Sequence, residues 1–478
     1  MQKRQHHALL VVLSLILITG VAMAITRQNS PDRGPTGPYA GSPSTLPDGL
    51  SVSARLVQDK VLLGSKGMVT MALTLQTPPA PTSDRQPQKA VDLVVVLDRS
   101  GSMNGRKISD ARRAVQWLIG HLSPQDRLAL VAYDNGAEPL SGLLPMTAAN
   151  QHELSTLIGK VHPGGGTNLG GGLQAGLEIL SATASDSAHR KLVLISDGLA
   201  NQGVTDPHAL AQMAAGGLAH DWVVSTVGVG HDFNEHLMTT LADHGAGHYY
   251  YLENPAAFAA VFEREYRQAV TTAASAIAIR MPRHAGINLV DAGGYPIQAA
   301  DGNITIHPGN MRYGQTRTLY LTFQITTDTP RKVTIQGLQV HFTDRGGQLK
   351  TSSLANAFTI ACVDNADEVV ASIRKEAWAQ KVLQEDFGRL KEAVADAIRS
   401  GDKEQAMAQI QLYRQEKAEL NRVVASPQVS ENLEKEVHAL GAYVEDTFAG
   451  KPAAVRAKQK KNAKTLQYEG YQKRRDIN

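Results

Sequence analysis

Apolar runs alternate with helical stretches along the middle of the chain, and this alternation constrains the fold more than any other sequence feature. Residues 93–97 and 192–195 consist only of Val, Leu and Ile, a composition that is typical of strands buried on both faces. Further strand-like runs span 127–133, 221–229 and 248–252, and helical stretches span 108–122, 151–161, 169–180, 208–218, 234–242 and 255–268. This order predicts an α/β fold with a doubly wound, mostly parallel sheet covered by helices.

Three loops of this predicted sheet carry oxygen-bearing side chains. They are residues 98–102, 164–168 and 196–198. Such sheets bind ligands outside the carboxyl ends of their strands, so we expect the three loops to meet at one edge. Carboxylates and hydroxyls without sulfur or imidazole select Mg²⁺, Mn²⁺ or Ca²⁺ over zinc or copper. Two carboxylates only neutralise a divalent ion, so water or a partner's carboxylate is expected to complete the ligand shell.

These loops closely resemble the metal-ion-dependent adhesion site of von Willebrand factor type A domains. The matching elements are Asp98-x-Ser100-x-Ser102, Gly165-Gly166-Thr167 and Ser196-Asp197-Gly198. The resemblance covers about residues 90–270 and is closest to exported bacterial members, which are grouped with calcium-activated chloride channel regulators and inter-alpha-trypsin inhibitor heavy chains. It implies a Rossmann-like fold and a metal-mediated protein-binding module. The implied ligands, direct or through water, are Asp98, Ser100, Ser102, Thr167 and Asp197, and none departs from the family pattern.

Other polar residues that follow predicted strands are expected near the same edge. They are Asp134, Asn135, Asn201, His231 and Asp232. Two interpretations stay open for them. The first is turn and cap formation, which short polar side chains favour, and the second is a polar collar that contacts the partner.

The segments on both sides of the central domain indicate an interrupted β-sandwich. Alternating polar and apolar residues predict strands at 50–57, 68–76, 274–281, 303–307, 316–325 and 332–342. Because two strands alone are not stable, we expect the upstream pair to join the downstream set. The predicted limits are 50–89 and 271–363 for the sandwich and 90–270 for the inserted domain.

The last part of the chain changes to a helical pattern. An apolar stripe runs from Val369 to Ile398, and helices are expected to pack into a bundle over residues 364–450. Residues 451–478 hold nine Lys and Arg against two acidic residues, a local charge of +7 in a chain of net charge +3. We expect this basic tail to fray into solvent, where it suits anionic lipid or an acidic protein and not nucleic acid.

The first residues predict export. A basic start is followed by an apolar run over residues 8–25 that includes Ala22-Met23-Ala24, which is the pattern of a signal peptide spanning 1–24. The run is also long enough to cross a bilayer, so an uncleaved anchor stays open. Residues 25–49 are rich in Pro and Gly and predict a disordered linker. A periplasmic or extracellular location follows.

The leading functional hypothesis is a non-enzymatic adhesion or scaffolding protein of the bacterial envelope, whose Mg²⁺, Mn²⁺ or Ca²⁺ ion binds an Asp or Glu of a partner protein. One alternative is a Mg²⁺-dependent hydrolase or phosphatase. A phosphoryl-transfer enzyme with Asp98 as nucleophile would need a second carboxylate where Ser100 stands, however. A further alternative, suggested only by the family resemblance, is an accessory subunit of a membrane transport complex.

Overall fold

The structure is a computed structural model that describes residues 49–81, 89–182, 188–354 and 356–476. The signal sequence over 1–24 and nearly all of the linker over 25–49 lie outside the described residues. Within those ranges, no helix combines the length and the apolar character that crossing a bilayer requires.

Three strands precede the central domain. They are β1 Ser51–Leu56, β2 Lys60–Leu62 and β3 Met68–Gln76. Every second residue of β1 is buried, as expected for a strand with one face on a core.

The central domain is an α/β layer structure. Its strands are β4 Ala90–Asp98, β5 Arg127–Tyr133, β6 Ala137–Pro139, β7 Leu144–Pro145, β8 Ala188–Ser196, β9 Trp222–Val229 and β10 Ala246–Leu252. Its helices are α1 Arg106–His121, α2 Ala148–Gly159, α3 Leu169–Ser181, α4 Pro207–Ala215, α5 Glu235–His244 and α6 Phe258–Val270. The strand order is β10-β9-β8-β4-β5-β6, and only β6 and β7 run antiparallel to their neighbour β5. The predicted doubly wound, mostly parallel sheet is therefore confirmed.

Strand β4 lies at the centre of this sheet, which accounts for its run of apolar residues. Leu93 and Val95 belong to the core under α1 and α6, whereas Val94 and Val96 belong to the core under α3 and α5. Successive side chains of a strand point to opposite faces, so both sets must be apolar when both faces are covered.

Glycines let helix α3 approach the sheet closely. A Cβ atom on Gly172 would lie 2.6 Å from Cδ1 of Tyr133, and one on Gly176 would lie 2.6 Å from Cδ1 of Leu192. Any larger side chain would push the helix away from the sheet. This contact fixes the loop in front of α3, where Thr167 lies.

The strands after the central domain share sheets with those before it. They are β11 Thr272–Pro282, β12 Ile287–Ala292, β13 Gln298–Ala300, β14 Asn303–Ile306, β15 Met311–Arg312, β16 Thr316–Ile325, β17 Arg331–Ile335, β18 Gln339–Asp344, β19 Leu349–Ser353 and β20 Phe358–Val363. Strand β3 pairs with β16 over nine residues, in a sheet of order β1-β3-β16-β12. Two more sheets, β13-β14-β11-β18-β19 and β17-β20-β2, complete this part of the molecule. The exact domain limits stay predictions.

The single strand predicted over 332–342 was wrong. The structure has two strands there, β17 and β18, which belong to different sheets. Gly337 separates them with a φ of 74°, a conformation that glycine adopts without steric cost and other residues avoid. The chain therefore turns at Gly337 and does not continue as one strand.

Helices occupy the end of the chain. They are α7 Ala366–Ala371, α8 Lys375–Lys381, α9 Phe387–Arg399, α10 Lys403–Val424, α11 Pro427–Glu434, α12 Glu436–Thr447 and α13 Pro452–Arg475. A π-helical turn over Val382–Asp386 joins α8 to α9. A separate hydrophobic core holds α8 to α13 together.

The expectation that residues after Gly450 fray into solvent was wrong. They form helix α13, which packs against α9 so closely that a Cβ atom on Gly470 would lie 2.7 Å from the carbonyl oxygen of Gly388. The basic side chains of α13 find acidic partners in the central domain. Lys464 bonds to Glu235 at 2.6 Å, and Lys461 pairs with Glu253 at 2.8 Å. These ion pairs neutralise part of the charge of α13, and its apolar residues Ala463, Leu466 and Tyr471 are buried in the hydrophobic cores.

Candidate metal centre

The sequence-predicted residues lie at the carboxyl edge of the central sheet. Asp98 is the last residue of β4, and Asp197 directly follows β8. These two strands are parallel neighbours, with Leu97 opposite Ile195. The register therefore brings the two carboxylates to the same edge of the sheet.

A chain of hydrogen bonds joins four of the five residues. The amide of Ser100 donates to Oδ1 of Asp98 at 2.7 Å. The hydroxyls of Ser100 and Ser102 are 3.0 Å apart, and Ser102 donates to Oδ1 of Asp197 at 2.7 Å. Asp98, Ser100 and Asp197 are buried, whereas Ser102 is exposed. The candidate centre is therefore open to solvent on the side of Ser102.

Thr167 reaches the same place from the loop before α3. Its hydroxyl lies 3.3 Å from the point that a Cβ atom on Gly198 would occupy, and the hydroxyl of Ser102 lies 3.5 Å from that point. The three loops thus meet, and the structure brings all five predicted residues together.

Two asparagines from the predicted rim hold the Thr167 loop. The side chain of Asn201 accepts a hydrogen bond from the amide of Thr167 at 2.9 Å. The side chain of Asn135 accepts one from the amide of Gly166 at 2.7 Å. Asp134 forms an ion pair with Arg99 at 3.1 Å. These contacts favour the turn-forming interpretation for Asn135 and Asn201.

Two buried hydroxyl groups, those of Ser196 and Tyr133, lie against the carboxylate of Asp98. Ser196 donates to its Oδ2 at 2.9 Å, and the Tyr133 hydroxyl lies 3.4 Å from the same oxygen while donating to the carbonyl of Ile195 at 2.9 Å. The pKa of Asp98 is raised to about 6, mainly by burial and also by the negative charge of Asp197, against the lowering effect of hydrogen bonds from Ser100 and Ser196. The site therefore holds two carboxylates that repel each other in a desolvated place.

Sequence reasoning missed Lys107. Its ammonium forms an ion pair with Oδ2 of Asp197, and it reaches there from the first turn of α1. A cation in the first turn is unfavourable because the amino end of a helix carries partial positive charge. That position indicates an anionic partner but does not identify it, and Arg106 stands in the same turn.

The residues present fit a divalent metal ion. The set offers two carboxylates and three hydroxyls, all hard oxygen donors of the kind that Mg²⁺, Mn²⁺ and Ca²⁺ prefer. The two buried carboxylates have one partly exposed ammonium as counter-charge, so a divalent cation would relieve their repulsion. Among the residues that the structure describes, no group of three or more His, Cys, Asp and Glu side chains could hold a metal ion. The hydroxyls are therefore essential to the candidate set.

The fold and these loops define a von Willebrand factor type A domain. Residues 92–264 match the family model described as von Willebrand factor type A domain, and the resemblance seen in the sequence is confirmed for the domain. Domains of this type typically mediate protein interaction or adhesion through a divalent metal. The completeness of the metal site in this chain stays a prediction.

Curated relatives match the central part of the chain. YfbK of Escherichia coli (strain K12) is 26% identical over 239 residues, which are 46% of this chain and 40% of YfbK. Inter-alpha-trypsin inhibitor heavy chain H1 of Mesocricetus auratus is 28% identical over 162 residues, which are 33% of this chain and 18% of that protein. The matched part thus spans less than half the length of either relative.

A solved structure shares the fold over most of the chain. It is von Willebrand factor type A from Catenulispora acidiphila, with a TM-score of 0.64 at 16% identity, and the match covers 91% of this chain and 98% of that one. The likeness therefore extends beyond the central domain to the flanking strands and helices.

Proposed function

We propose that the protein is a non-enzymatic, divalent-metal-dependent protein-binding protein of the cell envelope, with an acidic side chain of a partner as the group it recognises. The observation that carries the proposal is the meeting of three loops at one open point. The residues that meet there are Asp98, Ser100, Ser102, Thr167 and Asp197.

Each of these residues has a role in the proposed site. Asp98 and Asp197 supply two negative charges, and the three hydroxyls supply neutral oxygens that add no charge. The two carboxylates would balance the charge of a divalent ion bound there and leave no excess of negative charge. The ion could therefore still attract a further carboxylate. Ser102 is exposed and marks the side from which the partner would approach.

Two exposed aliphatic side chains in the loop after Asp197 support a protein partner. Leu199 is 57% exposed and Val204 is 42% exposed, and both lie in the loop that follows Asp197. Exposed aliphatic side chains next to a charged site favour a partner that presents an acidic residue beside an apolar one.

The surroundings of Asp98 argue against an enzyme with an aspartyl nucleophile. Asp98 is fully buried, and both of its carboxylate oxygens accept hydrogen bonds, from the Ser100 amide and the Ser196 hydroxyl. A nucleophile must be reachable by its substrate, and Asp98 has no exposed surface. These contacts suit an oriented metal ligand better than a reacting group.

The location is part of the proposal. A signal peptide over residues 1–24, or an anchor over 8–25, would place the protein in the periplasm or outside the cell. Fractionation of cells that express the tagged full chain tests this directly. Retention of the intact chain in the cytoplasm would contradict the proposed location.

The interaction is tested by a crosslinking pull-down from native envelope with the full chain, in Mg²⁺ and again in EDTA. Asp98→Asn removes one charge at the site, and Asp301→Asn removes one from an exposed turn of the sandwich as a matched control. We expect a partner that is captured in Mg²⁺ by the wild type and by Asp301→Asn, and lost in EDTA and with Asp98→Asn. Capture of the partner that persists in EDTA and with Asp98→Asn would contradict the proposal.

A further inference from the structure

A small cavity lies at the opposite end of the central sheet from the candidate metal centre, where the sheet meets the sandwich. Its volume is about 30 Å³, enough for one or two particles the size of water. It lies at the amino ends of β8, β9 and β10, the last turn of α6, and strands β15 and β16. The charged and hydrogen-bonding residues in its wall that matter here are His189, Lys191, His248, Gln268, Arg312 and Arg317. We call this space the junction cavity.

Arg317 is the central residue of the junction cavity. Its side chain is 2% exposed, and its two terminal nitrogens donate to the carbonyl oxygens of Pro308 and Asn310. Its Nε is buried without a hydrogen-bond partner. In the described part of the chain no carboxylate forms an ion pair with Arg317, so the structure buries this charge with uncharged acceptors only. An uncompensated buried charge is strongly unfavourable.

Glu265 is the acidic residue beside the cavity, and its carboxylate already has ion-pair and hydrogen-bond partners. Glu265 pairs with Lys191 at 2.8 Å and accepts hydrogen bonds from Tyr250 at 2.6 Å and Ser225 at 2.9 Å. The charge of Glu265 is thus paired with Lys191, and the described residues of the cavity wall include no carboxylate that could pair with Arg317 or Arg312. The wall carries an excess of positive charge.

Two further side chains have polar atoms without partners. They are Gln268, through Oε1, and His248, through Nδ1, which lies 3.6 Å from Glu265. The assignment of the oxygen and nitrogen of a glutamine amide follows from its hydrogen bonds. Turned about its last torsion, Gln268 would offer Nε2 as a donor where its unpartnered Oε1 now stands, and Gln268 and Arg317 both line the junction cavity.

The lowered pKa of His189 agrees with positive charge around the cavity. The pKa of His189 is lowered to about 4, mainly by burial and also by the positive charges of Lys89 and Lys191. The carboxyl end of α6 also borders the cavity, and its partial negative charge disfavours an anion there. That partial charge is smaller than the full charge of the buried Arg317, so the net field beside Arg317 favours an anion; the charge of Arg312 adds less because Arg312 is exposed to solvent.

We propose that the junction cavity binds one small inorganic anion of halide size, held by Nε of Arg317 and by the amide of Gln268. The ion would neutralise a guanidinium that the fold buries without a counter-charge. Because its ligands come from α6 and β16, it would also fasten the base of the central domain to the sandwich.

Bromide tests the site directly. Crystals of the full chain grown in sodium bromide are expected to show an anomalous difference peak within about 3.5 Å of Nε of Arg317. An ordered water at that position, with no anomalous peak, would overturn the proposal.

Solution measurements test it independently. The Tm of the full chain in sodium chloride is compared with that in sodium gluconate at equal ionic strength, because gluconate is a much larger anion than chloride. We expect a Tm at least about 2 °C higher in chloride. Equal values in the two salts would contradict an anion site.

A matched pair of variants locates the effect. Arg317→Met is expected to abolish the difference between the salts, whereas Arg283→Met, which removes an exposed arginine of the sandwich, is expected to keep it. If the Tm of Arg317→Met still differs between chloride and gluconate, the anion acts at a site other than the junction cavity. If Arg317→Met does not fold, the bromide experiment on the wild type decides.

Discussion

Lys107 forms an ion pair with Asp197, one of the two carboxylates at the carboxyl edge of the central sheet. The ammonium is partly exposed, whereas the Asp197 side chain has no exposed surface. Lys107 also lies next to Gly230, with its Nζ 3.5 Å from the point that a Cβ atom there would occupy. The lysine therefore supplies one positive charge at the place where we propose that a divalent cation binds.

Lys107→Met is expected to strengthen divalent-ion binding about tenfold, because it removes a cation that competes for Asp197. Isothermal titration of Mg²⁺ into the variant and the wild type measures the change. Lys66→Met, which removes an exposed lysine of the sandwich, is the control and should leave the affinity unchanged. Weaker Mg²⁺ binding by Lys107→Met would show that the ammonium supports the site and does not compete with the metal.

Leu199→Ala is expected to weaken capture of the partner about fivefold and to leave Mg²⁺ affinity unchanged. The side chain is exposed beside the centre, and its contact with a partner would bury apolar surface. Val290 is 43% exposed on the sandwich, so Val290→Ala is a control for the loss of an exposed aliphatic side chain. The readout is surface binding to the partner recovered in the Mg²⁺ pull-down. Equal affinities of the two variants would exclude Leu199 from the interface.

Asp386→Asn is expected to lower the Tm at pH 7 and to lose this effect in acid. The carboxylate lies between Lys381 and Lys417 at the turn that joins α8 to α9, and although burial raises its pKa, the two ammonium groups hold that pKa well below the ordinary value of 3.8. A carboxylate with a lowered pKa stabilises the fold above its ordinary pKa, and this stabilisation disappears as pH falls toward the lowered value. At pH 7 we expect a cost of about 3 kcal/mol for the two unpaired lysines.

Thermal unfolding of both proteins between pH 7 and pH 2.5 measures this dependence. The gap between their Tm values should be constant down to about pH 5 and should narrow below the ordinary pKa of 3.8. A gap that stays the same at pH 2.5 would mean that packing, and not the charge of Asp386, determines the effect.

Lys464→Met is expected to lower the Tm by several degrees. Lys464 is buried in α13, where it bonds to Glu235 at 2.6 Å and to the carbonyl of Phe233 at 2.7 Å. Arg399 would still pair with Glu235 in the variant, so the expected loss is that of the buried hydrogen bonds of Lys464, about 2 kcal/mol. Lys451→Met changes an exposed lysine just before the helix and should have no effect. Equal Tm values for these variants would mean that α13 is not docked on the central domain.

The sequence was sufficient to predict the central sheet and the meeting of its loops. Leu93 to Leu97 are apolar on both faces of β4, and an unbroken apolar run of this length is typical of a parallel strand with both faces covered. Asp98 and Asp197 follow neighbouring strands of that sheet, so their proximity follows from topology alone. The apolar pattern of the strands and their order in the folded sheet therefore lead to the same site.

The remaining features depend on contacts between distant segments. Lys107 and Asp197 are 90 residues apart, and no local pattern shows that a lysine in the first turn of α1 reaches the loop after β8. The basic residues of α13 gave a prediction of a solvated tail because their acidic partners, such as Glu235, lie more than 200 residues earlier. Charge density alone does not reveal the partner that neutralises it.

The most direct measurement of the central claim is a calorimetric titration of the metal-free full chain with Mg²⁺, Mn²⁺ and Ca²⁺. We predict one site per chain for at least one of the three ions. Binding should be lost in Asp98→Asn and retained in Asp301→Asn, with both variants folded by circular dichroism. Absence of binding for all three ions, or binding that Asp98→Asn leaves unchanged, would contradict a metal centre at the meeting point of the three loops.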